Sequence, residues 1–460
     1  MQLIKSENAN INYLSKVINI QEFEKHPNPD CTKLKIAKVD GFSVAVGINE
    51  EAGLYIYFPV LSEINPNLLS YLNLYEHSEL NKDYNKKGFF GNNGRVKAIK
   101  LQKYPSEGFL MPFTDLQNFI SDTTFKTLST CASGIEFDSI KDGDKQFWVS
   151  RKFVVKQQQS TNTQKAFNKK QKKLSTFDRL VPDQFKFHYD TVLIRKNPYA
   201  LQPDDLIHLS SKWHGTSGIS AYVLCKHPLS WKEKLAKLLT NNNFYKYEHL
   251  YASRSVIKNK NINSKQTNSF YGPGDGREDV DNTLKPVMIK GMTIYYEIVG
   301  YTKTGSYWQS GFDYGCVCPT SSEYICSIHY KIYVYRITLT NVDGIVHEYS
   351  TQEVQTTVKN WNIPGVIPVI QLYYGLAKDL YPELSTTNHW QENFLDRLSN
   401  DKNFYMECNS PDCKNKVPHE GIVIKIENTK SEAWKLKCFK FLGKEQEEAD
   451  SGKTNIEDNA

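Results

Sequence analysis

This chain lacks any long apolar run. No segment approaches the roughly 18 to 20 residues that a membrane-crossing helix requires. The opening Met1-Gln2-Leu3-Ile4-Lys5 lacks the apolar core of a secretory signal, so a cytoplasmic protein is expected. A disulfide framework is also missing. Nine cysteines, an odd number, are spread over 460 residues, which suits reduced thiols. Cys316, Cys318, Cys326, Cys408 and Cys413 invite a zinc site, but their spacings lack the paired two-residue gaps of a zinc ribbon, and buried free thiols are the favoured reading. Two stretches lack one residue class. Between Arg151 and Ser175 there is no acidic residue, while Lys165, Lys169, Lys170, Lys172 and Lys173 stand among polar neighbours. This reads as a basic linker, either a soluble tether or a strip that tracks phosphates. From Gly443 to Ala460 apolar residues are almost absent, and an acidic disordered tail is expected.

What is present is enough for two or three domains with a large core, since the apolar fraction of 39% is ordinary for a globular protein. The net charge of +6 is modest. In the first 115 or so residues, alternating runs at Leu34 to Val39, Phe42 to Val46, Leu54 to Val60 and Val96 to Leu101 predict a small all-β unit. Phe147 to Val155 reads as a strand closing that unit against the next. Tyr55, Tyr57 and Phe58 are available for base stacking, although alternate aromatics must also fill a core. Further on, runs of Tyr and β-branched residues at Met292 to Val299 and Tyr330 to Leu339 predict buried strands, and Trp231 to Leu239 and Trp390 to Leu398 predict helices. The expected organisation is a front module at 1–157, a linker at 158–178, an α+β domain at 179–442 and a tail at 443–460. No internal repeat is visible.

The chemistry-bearing residues come in a fixed order. Lys212-Trp213-His214-Gly215 is followed by Ser253-Arg254, then Tyr295-Tyr296-Glu297-Ile298-Val299-Gly300 and Tyr333-Val334-Tyr335-Arg336-Ile337-Thr338. Glu420-Gly421-Ile422-Val423-Ile424-Lys425 and Lys435-Leu436-Lys437 close the series, which spans about 225 residues. A lysine amine is protonated at neutral pH, so its use as a nucleophile requires a lowered pKa or neighbouring cations. Lys435 and Lys437, two apart on a strand, point to one face and are suited to that task. Glu297 lies in an otherwise apolar strand, where a carboxylate needs a partner.

In this order the pieces resemble motifs I, Ia, III, IIIa, IV and V of the covalent nucleotidyltransferases, the superfamily of ATP-dependent ligases and capping enzymes. Histidine at the third position of motif I, and a chain with only about 23 residues after Lys437, resemble the Deinococcus-type RNA ligases, whose OB domain precedes the ligase domain. The front module supports that placement: His26-Pro27-Asn28-Pro29-Asp30, Leu34, Ile36 and Val39-Asp40-Gly41 resemble the tRNA-binding OB domain of some aminoacyl-tRNA synthetases, with Cys31 and Thr32 inserted. The resemblance implies an α+β fold, an N-terminal OB-type β-barrel followed by a mixed α/β nucleotidyltransferase domain of ATP-grasp-like ligase type. It implies that Lys212 becomes lysyl-AMP, that Lys435 and Lys437 contact the α-phosphate, and that Arg254 reaches the ribose and reacting phosphate. Glu297 and Glu420, with His214 in place of the commoner aspartate, would organise waters around Mg²⁺ or Mn²⁺. His208, Leu209 and Gly215 would frame the nucleotide, with Val423 on one side of adenine. Either Ile332 with Val334, or Tyr333 with Tyr335, would supply the other side. The implied activity is ATP-dependent joining of RNA 3′-hydroxyl and 5′-phosphate ends, nicked duplexes among them, by a monomer. The alternatives are an RNA-binding protein with a catalytically quiet ligase domain, and a capping-type nucleotidyltransferase, which usually needs a second OB domain after motif V.

Overall fold

The computed structural model describes residues 2–7, 9–117, 119–130, 133–155, 179–189, 191–227, 245–258, 276–321, 328–427 and 432–452. The basic linker 158–178, the expected helix Trp231 to Leu239 and Cys326 lie outside these residues. No helix among the described residues is long and apolar enough to cross a membrane.

The front module is antiparallel. One sheet orders Phe109–Pro112, Gly53–Phe58, Ser15–Ile20 and Glu136–Phe137, and a second orders Glu24–Lys25, Leu34–Val39 and Phe42–Gly47. Smaller sheets flank these two. Because side chains alternate along a strand, Gly53–Phe58 feeds two cores at once. Tyr55 and Tyr57 face a cluster with Val39, Phe42 and Val44, while Ile56 and Phe58 face another with Val17, Met111 and Phe137. All three aromatics available for stacking are therefore core residues. The hydroxyls of Tyr55 and Tyr57 donate to the carbonyls of Glu51 and Glu107, at 2.7 and 2.9 Å, which satisfies their polar ends.

The expected strand Phe147 to Val155 is broken. Val149 and Ser150 both donate to the Asp138 carbonyl, at 2.6 and 3.3 Å, so Lys145–Trp148 pairs with Ser139–Asp142 while Ser150–Lys152 turns to pair with Ser62–Ile64.

The second region holds two sheets. The first orders Val192–Leu193, Glu432–Lys437, Gly421–Ile426, Leu206–Ser211 and Gln371–Leu376. The second orders Tyr245–Ala252, Thr216–Lys226, Met292–Gly300, Tyr330–Thr340 and Val346–Glu348, with Val366–Pro368 parallel to Tyr330–Thr340. Helix Trp390–Ser399 buries Trp390, Phe394, Leu395 and Leu398, the stripe its spacing predicts. Helix Thr351–Trp361 begins with a reciprocal cap between Ser350 and Glu353 and ends with Asn362 at φ 50°. The chain leaves the first sheet at Ser211 and enters the second at Thr216, so Lys212 to Gly215 form the crossover between them.

The expected tail requires a correction. Phe439–Asp450 is a helix, so residues 443–450 are ordered secondary structure rather than a disordered extension. Phe441 anchors it in the core of the second region, Leu442 is buried beside it, and Gln446, also buried, bonds to both backbone groups of Ala98 in the front module. A window of polar residues does not reveal that its few apolar neighbours suffice to dock it.

Candidate active site

Three of the four crossover residues are pinned through their amides. The Lys212 amide donates to the Gly421 carbonyl at 2.9 Å, the His214 amide to the Tyr314 hydroxyl at 3.2 Å, and the Gly215 amide to Glu297 Oε1 at 3.1 Å. Gly215 packs so tightly that a Cβ there would lie 2.4 Å from the Ile298 carbonyl oxygen. At Gly421, φ is 133° and a Cβ would meet the Leu436 oxygen at 2.1 Å, so only glycine lets the Glu420 strand lie against its neighbour.

A cavity of about 820 Å³ opens at this crossover, in the size range of small-molecule sites. It is lined by Lys212, His214 and His208 from the first sheet and crossover, by Arg254 and Glu297, and by Glu420, Val423, Lys435 and Lys437. The pairing of Val423 with Lys435 and of Gly421 with Lys437 sets both lysines on one face of the strand next to Glu420. Asn10, Asn12, Tyr13 and Lys152 of the front module line the same cavity. Outside the cavity lining, the two modules also meet through the Arg195 carbonyl, 2.7 Å from the Gly41 amide, and the Lys196–Glu136 ion pair at 2.9 Å.

Three of the expected nucleotide contacts lie elsewhere. Leu209 and Ile332 are fully buried in separate hydrophobic clusters, and Tyr333 stacks face to face on Trp213 with ring centroids 3.7 Å apart. Gly215 supports the site from behind. The strand Tyr330–Thr340 carries a β-bulge: Tyr295 pairs with Arg336 and Tyr296 with Val334, so Tyr335 is the extra residue. A bulge re-aims the chain, and Tyr335 and Arg336, although adjacent, both line the cavity. Strand alternation alone cannot anticipate that. Val354, Val369 and Val423 are among the aliphatic residues that line the cavity together with Tyr335.

Charge is dense and paired. Lys212 Nζ lies 2.7 Å from Glu420 Oε1. Burial pushes the Glu420 carboxyl up, but Lys212, His214 and Lys437 outweigh it and hold the group well below the ordinary carboxylate range. His214 presents Nδ1 to Glu420 Oε2 at 3.6 Å and Nε2 to the Gln309 amide nitrogen at 2.8 Å. With Gln309 donating, Nε2 accepts and the ring proton sits on Nδ1, facing Glu420. Burial, reinforced by Lys425, lowers His208 to about 4, so it is neutral at physiological pH. Arg336 and Lys425 share Glu348, at 2.8 and 3.4 Å, and the Arg336 guanidinium packs 4.6 Å from the Tyr295 ring.

Glu348, Gln309 and a role for Lys425 are absent from the sequence reading. Lys425 carried a signal, being a cation inside an apolar strand. Glu348 and Gln309 carried none, because their partners lie on other strands.

A divalent cation fits this donor set in a limited way. Glu420 Oε2 is buried beyond hydrogen-bond length from any partner, and Glu297 adds a second carboxylate, the hard-oxygen chemistry that Mg²⁺ and Mn²⁺ prefer. No group of three or more His, Cys, Asp or Glu among the described residues is arranged to hold a metal ion. The site therefore suits a cation whose other ligands are phosphate oxygens and waters. The seven described cysteines are free thiols.

No protein-family profile matches this chain, and no curated protein matches it in sequence. Solved structures do match in fold. The RNA ligase of Naegleria gruberi with PPi is similar at TM-score 0.52 and 16% identity, covering 95% of this chain and 100% of that one. An arginine-to-alanine mutant of that ligase, solved with ATP and Mn, matches at TM-score 0.51 and 15% identity over 94% and 99% of the two chains. An aspartate-to-alanine mutant in apo form gives TM-score 0.51 and 15% identity over 95% and 98%. The likeness establishes a shared α+β fold along nearly the whole length of both chains.

Proposed function

We propose that this protein is an ATP-dependent RNA ligase of the covalent nucleotidyltransferase superfamily, of the Deinococcus type with an OB-type module in front. The observation that carries this reading is the convergence of Lys212, Arg254, Glu297, Glu420, Lys435 and Lys437, drawn from distant parts of the chain, on one cavity. The fold shared with the Naegleria gruberi RNA ligase, solved with ATP and Mn and with PPi, supports it.

In this reading Lys212 Nζ attacks the α-phosphorus of ATP, the bond to the β-phosphate oxygen breaks, and pyrophosphate leaves. Lys435 and Lys437 offset the negative charge that develops on the phosphoryl oxygens. Glu297 and Glu420 would hold a divalent cation, which screens phosphate charge when bound. Tyr335 with Val423 takes the role of adenine slot in place of Tyr333 or Ile332. The AMP then passes to an RNA 5′-phosphate, and a 3′-hydroxyl displaces it to seal the ends. The front module holds the RNA, and the protein acts as a cytoplasmic monomer.

The test is incubation of the full chain with α-labelled ATP and Mg²⁺ or Mn²⁺. An acid-labile protein adduct is expected, and Lys212→Ala should form none while still sealing a pre-adenylated RNA nick. Undiminished labelling of Lys212→Ala would overturn the assignment, and absence of any adduct in the native chain would favour a catalytically quiet RNA-binding protein.

A further inference from the structure

The helix Phe439–Asp450 starts two residues after Lys437 and is held from three sides. Its first two amides donate to the Glu407 carboxylate, at 2.5 and 3.3 Å. Phe441 and Leu442 are buried in or beside the catalytic core. On the front-module side, Gln446 makes hydrogen bonds of 2.8 and 3.1 Å with the Ala98 backbone, and Asp450 accepts from Arg95 at 2.6 Å and Lys97 at 3.0 Å. With those contacts fixed, helical spacing turns Glu445, Glu448 and Ala449 toward the cavity, where all three form part of its wall.

Glu445 is the consequential one. Both of its carboxylate oxygens lie 2.8 Å from Lys437 Nζ, and the two side chains are only 14% and 15% exposed. Helix stability does not call for this carboxylate: it sits past the first turn, where the helix dipole offers little to an anion. A paired-oxygen anion at hydrogen-bond length from an ammonium is the arrangement a phosphate would make with the same lysine.

We infer that Glu445 is a positioning residue, an exchangeable counter-ion that holds Lys437 toward the cavity and yields it to the phosphates of an entering nucleotide. The carboxylate and the phosphates compete for one ammonium. The helix also ties that ammonium to the docking of the front module, through Gln446 and Asp450. This inference rests on the ligase reading for its substrate, but its test does not depend on adenylation.

Pyrophosphate alone is titrated into the full-length protein by calorimetry. Glu445→Gln, which removes the charge and keeps the shape, should bind pyrophosphate more tightly, by about threefold or more, the scale expected for a partly exposed ion pair. In a Lys437→Ala background the same change should make no difference. Gln446→Ala, which loosens the helix without touching Lys437, should not reproduce the gain. Equal or weaker pyrophosphate binding by Glu445→Gln overturns the inference, as does an equal gain in Gln446→Ala or in the Lys437→Ala background. If the native protein forms an AMP adduct, Glu445→Gln should also lower the KM for ATP with kcat little changed. A native protein that forms no adduct counts against the ligase reading, and the pyrophosphate titration still decides the role of Glu445.

Discussion

The front module and the second region both bury strands on two faces, but they bury different things. In the front module the strand Gly53–Phe58 places Tyr55, Ile56, Tyr57 and Phe58 in two apolar clusters, and nothing on that strand reaches the cavity. In the second region the strand Leu206–Ser211 buries Ile207 and Leu209 on one side, while His208 and Ser210, also buried, line the cavity. The first strand is closed on both faces by packing. The second is closed on one face by packing, while its other face presents the neutral polar groups of His208 and Ser210 to a cavity lined by the paired charges of Arg336, Lys425 and Glu348.

The largest expected effect separates the two regions outright. Glu420→Ala, which removes a carboxylate proposed to hold the cation, and Lys435→Ala, which removes a cation proposed to offset phosphate charge, should each slow adenylation by on the order of 10² or more. Single-turnover labelling reads this, and near-normal rates in both variants would show that the cavity is not where the chemistry occurs.

His208 gives a smaller effect, on stability. Its imidazole titrates near 6.5 when unfolded and about 4 when folded, so between those values the unfolded chain binds the proton more readily. Its contribution is complete above pH 6.5, falls as pH drops toward 4, and changes no further below. The loss amounts to on the order of 3 kcal/mol across that window. Denaturant titrations at pH 7 and pH 4.5 should differ less in His208→Phe than in the native chain. An unchanged difference would mean the ring is not held neutral.

Tyr335→Ala should raise the KM for ATP by about tenfold, as expected for loss of one aromatic face in a binding slot, with little effect on the rate at saturation. A Tyr333→Ala variant should instead lower thermal stability through loss of its stack on Trp213. Reversal of these two outcomes would return the adenine slot to Tyr333. Ile56→Val in the front core is the mildest change, costing about 1 kcal/mol of stability and leaving adenylation unaltered. If it slowed labelling several-fold, the front core would be coupled to the site more closely than its packing suggests.

Legibility in the sequence followed the range of the interactions. Local periodicity located Leu34–Val39, Met292–Gly300, Tyr330–Thr340 and Trp390–Ser399 with ends close to those observed, since such elements depend on neighbours two to four residues away. It misread Phe147 to Val155 because the Asp138 carbonyl, which breaks that strand, lies in the bend between Glu136–Phe137 and Ser139–Asp142. It misread the stretch after Gly443 because helix docking there depends on Ala98 and Arg95, some 350 residues earlier in the chain.

By itself the sequence determined which charged residues are available for chemistry, in what order, and that Lys435 and Lys437 share one side of a strand. Those follow from residue type and a period of two. Only the tertiary structure decided that Tyr335 rather than Tyr333 reaches the cavity, that Gln309 and Glu420 bracket His214, and that Glu445 stands against Lys437. Each of these depends on a bulge, a sheet crossover or a docked helix, and such features are fixed by packing between distant segments, which no local pattern records.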